Sequence, residues 1–200
     1  MSSQKKEPTR NRILEVSFRL FLKHGYSATG LNQIVEEAET VKASLYQHFS
    51  SKEELGKEVL KEYSSKRIQL IKGLMQKFPY PLDFTRAWTR ILKHEASQSK
   101  LHGCGMANFR AQIQEKETLI LAEIQTIANE TIQTIEEFLI TAKEKSFLSS
   151  NAPTKELALQ LFYSYEGVLQ SYRILGDAKT LNGLTKLSEL VLNQYLKRKR

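Results

Sequence analysis

Apolar residues along this chain recur at intervals of three and four rather than two, from the first turn to the last. That spacing predicts helices nearly throughout and no convincing strand. Ile13, Leu14, Ser17, Leu20 and Phe21 share one face of a first helix, with Thr9 placed to cap its start and Gly25 to take the left-handed conformation at its end. A link over 26–29 leads to a short helix with Leu31, Ile34, Val35 and Ala38, for which Thr29 is the expected cap. After Glu39-Thr40 comes a third helix of about eight residues with Leu45, Tyr46 and Phe49. Ser50 and Ser51 stand three residues before Glu53 and Glu54, the spacing of a capping box. A fourth helix therefore starts there and runs to about Lys77, where Pro79-Tyr80-Pro81 stops it.

The second half predicts longer helices. Asp83 is placed to cap one bearing Phe84, Trp88, Ile91 and Leu92. Gly103-Cys104-Gly105 separates it from a short helix through Phe109 and Ile113. Residues 117–147 form a long amphipathic stretch, 149–153 a loop, 154–175 a helix stopped by Gly176, and 180–196 a last helix. The fold class is all-α.

Charge divides the chain. Its net is +8, but residues 1–116 carry +8, residues 117–196 carry −4, and Lys197-Arg198-Lys199-Arg200 adds +4. A basic first half fits a polyanion, and equally a solubilising surface. The lone Cys104 excludes a disulfide framework and a multi-thiolate metal site, which with the absence of a signal peptide points to the cytoplasm. No apolar run has the length of a membrane span. His24, His48, His94 and His102 are scattered, and no phosphate loop or nucleophile elbow appears. The sequence therefore offers no catalytic, metal or cofactor set, and the reading is that the chain is not an enzyme.

Residues 9–55 carry the chemistry. Short helices joined by a three- or four-residue turn outline a helix-turn-helix. In the third helix Leu45 and Phe49 face inward, leaving the start at Val41-Lys42-Ala43-Ser44 open and Tyr46, Gln47 and His48 at the sides. The helix starts at Thr29 and Ser51 offer free backbone N–H groups to phosphates. Lys52, in a first turn where the helix dipole opposes a cation, has a reason to be there if an anion docks beside it. Leu45-Tyr46-x-His48-Phe49-x-x-Lys52-Glu53-x-Leu55, preceded by Gly25-Tyr26, Thr29, Ile34 and Ala38, resembles the DNA-binding domain of the TetR family of transcriptional regulators. Two departures stand out: Glu39 replaces a common turn glycine, and Ala43 occupies another position where glycine is frequent. Thr40 is then the expected cap of the recognition helix.

The resemblance implies an N-terminal helix-turn-helix DNA-binding domain over 1–53 and a C-terminal helical ligand-binding and dimerisation domain over 54–200. It implies a ligand-responsive repressor that binds a palindromic double-stranded operator as a homodimer, with an unidentified small-molecule ligand and no membrane. Lys42 and Ser44 are then base-edge candidates and Ala43 a contact for a thymine methyl. Thr29, Thr40, Tyr46, Gln47, His48 and Lys52 are phosphate candidates, with Lys5, Lys6 and Arg10 as a basic arm. The His48 ring packing on a neighbouring helix is the structural alternative.

In the C-terminal half, Leu161, Val168, Leu169, Tyr172, Leu184, Leu187 and Val191 are expected at the dimer interface, although some must belong to an intramolecular core. Tyr165 joins that apolar set, and Gly167 permits close helix approach. Trp88, Cys104, Met106, Phe109, Tyr163 and Tyr165 are the expected ligand site, because aromatic and methionine side chains beside a helix break favour an apolar cavity; a simple core is the alternative. Gly103 to Phe109 also resembles a Gly-Cys-x-x-x-Asn stretch of some TetR-type regulators that sense electrophiles, which leaves open a cysteine-sensing regulator. A helical adaptor without sequence-specific DNA binding is the remaining class.

Overall fold

A computed structural model describes residues 8–197. Lys5, Lys6 and the last three basic residues therefore lie outside the described residues. Nine α-helices and one 3-10 turn make up the described chain, with no strand beyond an isolated bridge between Leu148 and Leu196.

Helices α1 (Thr9–His24), α2 (Leu31–Glu37) and α3 (Lys42–His48) fall where the periodicity puts them. Their caps do not. Pro8 precedes α1, Gly30 precedes α2 and Val41 precedes α3, and none supplies a side-chain cap. Thr29 is instead fully buried, its hydroxyl donating to the Gly25 carbonyl at 2.7 Å. Thr40 is spent on closing α2: its N–H reaches the Val35 carbonyl at 2.9 Å, one residue past Glu39 at φ +48. That is a Schellman closure with glutamate in the left-handed position usually held by glycine.

Of the two expected capping boxes at α4 (Lys52–Lys77), the Ser51–Glu54 pair forms, with its return bond made one residue earlier, at Ser50. The Glu54 N–H donates to Ser51 Oγ at 3.0 Å, and Glu54 Oε2 accepts from both the N–H and the hydroxyl of Ser50 at 2.6 Å. Those bonds hold the Glu54 carboxyl below the usual glutamate range. Helix α5 (Pro81–Ser97) starts with proline at N1, where a missing N–H costs nothing, rather than at Asp83. Asp83 lies in the first turn and pairs with Arg86 at 3.5 Å. Then follow α6 (Gly105–Arg110), α7 (Thr118–Glu144), α8 (Thr154–Leu175), a 3-10 turn over Ala178–Leu181 and α9 (Asn182–Leu192). Gly176, left-handed at φ 68 and ψ 2, stops α8 as expected.

Contacts divide the chain into two compact units, each drawn from two segments. The first comprises residues 1–65 and 105–127. Its core joins Ile13, Leu14, Leu20 and Phe21 of α1 to Ile34, Leu45, Phe49 and Leu55, and adds Phe109, Ile113 and Ile120 from far along the chain. The second comprises residues 66–104 and 128–200, where α5, α8 and α9 pack together. Leu92, Leu139, Leu157, Leu169 and Leu192 are fully buried there.

Candidate functional site

Helix α3 is fixed from one side and open on the other. Leu45 and Phe49 are 0% and 1% exposed, which locks the helix against α1 and α2. Val41, Lys42, Ala43, Tyr46, Gln47 and His48 are exposed, and Ser44 and Thr40 are half-buried. Seven residues of helix thus present a lysine, a serine, a methyl group and three hydrogen-bonding side chains with no competing role in the core. Tyr46 and Val41, at 50% and 63% exposure, are large side chains with no core to fill. His48 is exposed, and the ring contact seen for it is edge-on to the adjacent Phe49 at 6.3 Å rather than to a neighbouring helix. Arg10, by contrast, is committed to Glu58 at 2.9 Å and to the Phe49 ring at 5.4 Å, inside the unit rather than in a free arm.

Lys52 is held rather than free. Its ammonium lies 4.6 Å from the Tyr26 ring centroid and donates to the Ser27 carbonyl at 3.3 Å. Partial burial lowers its pKa, and the Glu117 carboxylate opposes that shift. The aromatic face, the carbonyl and the carboxylate together offset the unfavourable dipole at the start of α4. Tyr26, 3% exposed, donates to Glu117 at 2.7 Å, and its phenol is pushed far up by burial and by that bond. Ser27 donates through its hydroxyl to the Gln112 carbonyl at 2.5 Å, and its N–H meets Gln112 Oε1 at 3.3 Å. The Leu119 N–H adds a bond to Glu53 at 2.7 Å. Residues 112–119 thereby set the loop before α2 and the first turn of α4. Sequence reasoning missed Gln112 and Glu117, because partners separated by 85 and 91 residues leave no local signal.

The second unit contains an apolar cavity of about 50 Å³. Phe84 and Trp88 of α5, Ile135 and Phe138 of α7, and Leu161 and Tyr165 of α8 help line it. Trp88 and Tyr165 are therefore at a cavity as expected. The other expected ligand residues are not. Phe109 is in the core of the first unit, against Phe21 and Tyr26 at ring distances of 5.8 and 5.5 Å, and Met106 packs on the same core. Tyr163 is 61% exposed. Cys104 is buried and hydrogen-bonded to Glu166, outside the cavity lining. Burial raises the Glu166 pKa, with the Cys104 bond partly offsetting it.

The expected interface set splits in two. Leu161, Val168, Leu169 and Leu184 are buried within the single chain and belong to its core. Tyr172 and Val191 are half-buried, and Leu187 is 39% exposed. Sequence reasoning missed Ile174, Leu175 and Leu190, which are 73%, 68% and 75% exposed on α8 and α9. Tyr163, Gly167, Gln170 and Ile174 form one exposed stripe of α8. A Cβ on Gly167 would meet nothing within 4 Å, so nothing in this chain requires its small size.

The family model described as bacterial regulatory proteins, tetR family, matches residues 13–59, the span that holds α2, α3 and the start of α4. The chain is 25% identical to the transcriptional repressor DhaR of Mycobacterium sp. (strain GP1) over 92% of its length and 93% of that protein. Among solved structures, Escherichia coli NemR in its reduced form matches with a TM-score of 0.81 at 20% identity, over 92% of this chain and 97% of that one. A TetR-family regulator from Agrobacterium tumefaciens matches with a TM-score of 0.79 at 19% identity, over 94% and 98%. With its open α3 and these likenesses, residues 13–59 match the DNA-binding domain of the tetR family of bacterial regulatory proteins, and the chain as a whole has the fold of TetR-family regulators.

Proposed function

We propose that the chain is a ligand-responsive repressor that binds, as a homodimer in the cytoplasm, a pseudo-palindromic operator through residues 1–53. The observation that carries this reading is α3, pinned by Leu45 and Phe49 while Lys42, Ala43, Ser44, Tyr46, Gln47 and His48 face outward. Lys42 and Ser44 read base edges, Ala43 meets a thymine methyl, and Tyr46, Gln47, His48 and Lys52 bind phosphates. The buried Thr29 contributes through its backbone N–H at most, and Thr40, whose N–H is bound to the Val35 carbonyl, only through its half-buried side chain. Two recognition helices must lie about 34–36 Å apart to enter successive major grooves, so a dimer is needed. The exposed apolar side chains of α8 and α9 supply a surface for it.

Selection from random DNA with purified protein tests this. The wild type enriches an inverted repeat, and the Lys42→Ala/Tyr46→Ala variant does not. Enrichment by both or by neither overturns the assignment of α3 as the reader. On the selected operator, Lys42→Ala weakens specific binding and relaxes base preference. Lys52→Ala weakens all sequences alike and lowers the slope of log K against log salt by about 1. Equal loss on operator and random DNA for Lys42→Ala would remove its base-reading role.

A cysteine-sensing variant of this function is less favoured by the geometry, because the Cys104 thiol is buried and hydrogen-bonded to Glu166 rather than open to an electrophile.

A further inference from the structure

The cavity in the second unit has a specific chemical character. Four aromatic rings face it, from Phe84, Trp88, Phe138 and Tyr165, and none of its lining side chains is charged. Arg67 lies over the Trp88 ring at 4.7 Å, but its guanidinium is spent on both oxygens of Glu95, at 2.6 and 3.0 Å. An ion entering the cavity would lose its hydration without gaining a partner. Polar groups in the lining are mostly satisfied; the Thr85 hydroxyl donates to the Leu82 carbonyl at 3.0 Å. Ser188 is the exception. It lines the cavity, is 0% exposed, and its Oγ has no hydrogen-bond partner. Of the described buried side-chain oxygens left unpaired, those of Ser17, Ser149 and Glu166 lie outside the lining. A buried hydroxyl without a partner is destabilising unless something binds it.

We propose that this cavity takes a small, uncharged, largely apolar molecule with a single hydrogen-bonding group, and that Ser188 selects for that group. The inference rests on the ligand-responsive reading above and specifies its ligand. The aromatic walls fit a flat ring, and the one unpaired hydroxyl fits one donor or acceptor. The volume present, about 50 Å³, is smaller than the roughly 150 Å³ cavity that admits benzene in an engineered core. A ring therefore enters only as α5, α8 and α9 move apart, which makes occupancy and helix displacement one event.

Trp88 is the chain's single tryptophan and stands in the cavity wall, so its emission reports occupancy directly. Full-length protein is titrated with phenol, toluene, benzoate and benzylammonium, with excitation to the red of the phenol band. Phenol and toluene give saturable changes, phenol binding about tenfold more tightly, as one recovered hydrogen bond allows. Benzoate and benzylammonium give none. Ser188→Ala brings phenol and toluene to equal affinity and leaves toluene unchanged; Ser188→Cys, close in size with a weaker donor, also narrows the gap. Leu161→Phe fills the space and abolishes both. The proposal is overturned if no probe saturates, if a charged probe binds as well as phenol, or if the phenol advantage survives Ser188→Ala. DNA selection is read separately. An enriched repeat without probe binding rejects this ligand class and leaves the regulator standing, whereas probe binding without any enriched motif does the reverse.

Discussion

Glu39 pays for its place with an unfavourable backbone. At φ +48 it holds the left-handed conformation that closes α2, which costs a side chain about 1–2 kcal/mol. Glycine removes that cost but adds back about 0.4–1 kcal/mol through the freer unfolded chain. Glu39→Gly is therefore expected to stabilise the protein by about 1 kcal/mol, seen as a higher urea midpoint at unchanged slope. Glu166 gives a prediction with the opposite dependence on conditions. Burial raises its folded pKa, so folding favours the protonated acid. The favourable contribution is complete below the ordinary glutamate pKa and is lost as pH rises through the raised one. Glu166→Gln, which stays neutral and can still accept from Cys104, should raise the melting temperature near pH 8 and make no difference below pH of about 4. A gain that is the same at both pH values would show that charge burial is not its source.

At the scale of elements, the bounds of α8 were legible to the residue, because a clean apolar stripe ends at a left-handed glycine. Caps were the weak point. Thr9, Thr29, Thr40 and Asp83 all have capping chemistry, yet the Thr29 hydroxyl is taken by the Gly25 carbonyl, Thr40 stands one residue before the Val41 cap position of α3, and Pro8 and Pro81 set the starts of α1 and α5. Several helix ends were also hidden. Glu39, Ser99 and Ser146 all sit at positive φ, and in each case the next residue's N–H closes back by five residues, to Val35, Glu95 and Ala142. A reading that looks for glycine at helix ends does not find them. The recognition helix was legible because α3 is short and its two inward residues are four apart; the Tyr26–Glu117 pairing was not, being a contact between distant segments. Gly25 shows what such a contact demands. At φ +88 and ψ 157 it occupies a region open essentially to glycine alone, and a Cβ there would collide with the Gln112 amide. Gly25→Ala is expected to cost about 2–3 kcal/mol in chemical denaturation.

At the scale of the whole molecule, single-chain burial sorts the expected dimer residues into core and surface. Leu161, Val168, Leu169 and Leu184 are needed inside one chain, so mutating them tests folding. Leu187 and Leu190, exposed on α9, test association. Leu187→Lys with Leu190→Lys should leave the melting transition intact, yield a monomer by sedimentation at micromolar concentration, and lower operator affinity by about a hundredfold or more as paired half-site binding is lost. A stable dimer of the double variant would move the interface elsewhere.

The first unit also has a consequence for synthesis. Its core needs Phe109, Ile113, Ile120 and Ile127 beside residues of α1 to α4, and the loop before α2 is fastened by Gln112 and Glu117. A ribosome that has just made residue 65 must add the next 62 before the reading head has all its parts. At ordinary translation rates that is a wait of roughly 3–12 s. During it the nascent helix-turn-helix lacks the side chains that cover Phe21 and Tyr26. The head and much of the cavity-bearing segment thus leave the ribosome before either can work, and a message truncated after the helix-turn-helix yields an incompletely covered fragment rather than a constitutive competitor for the operator.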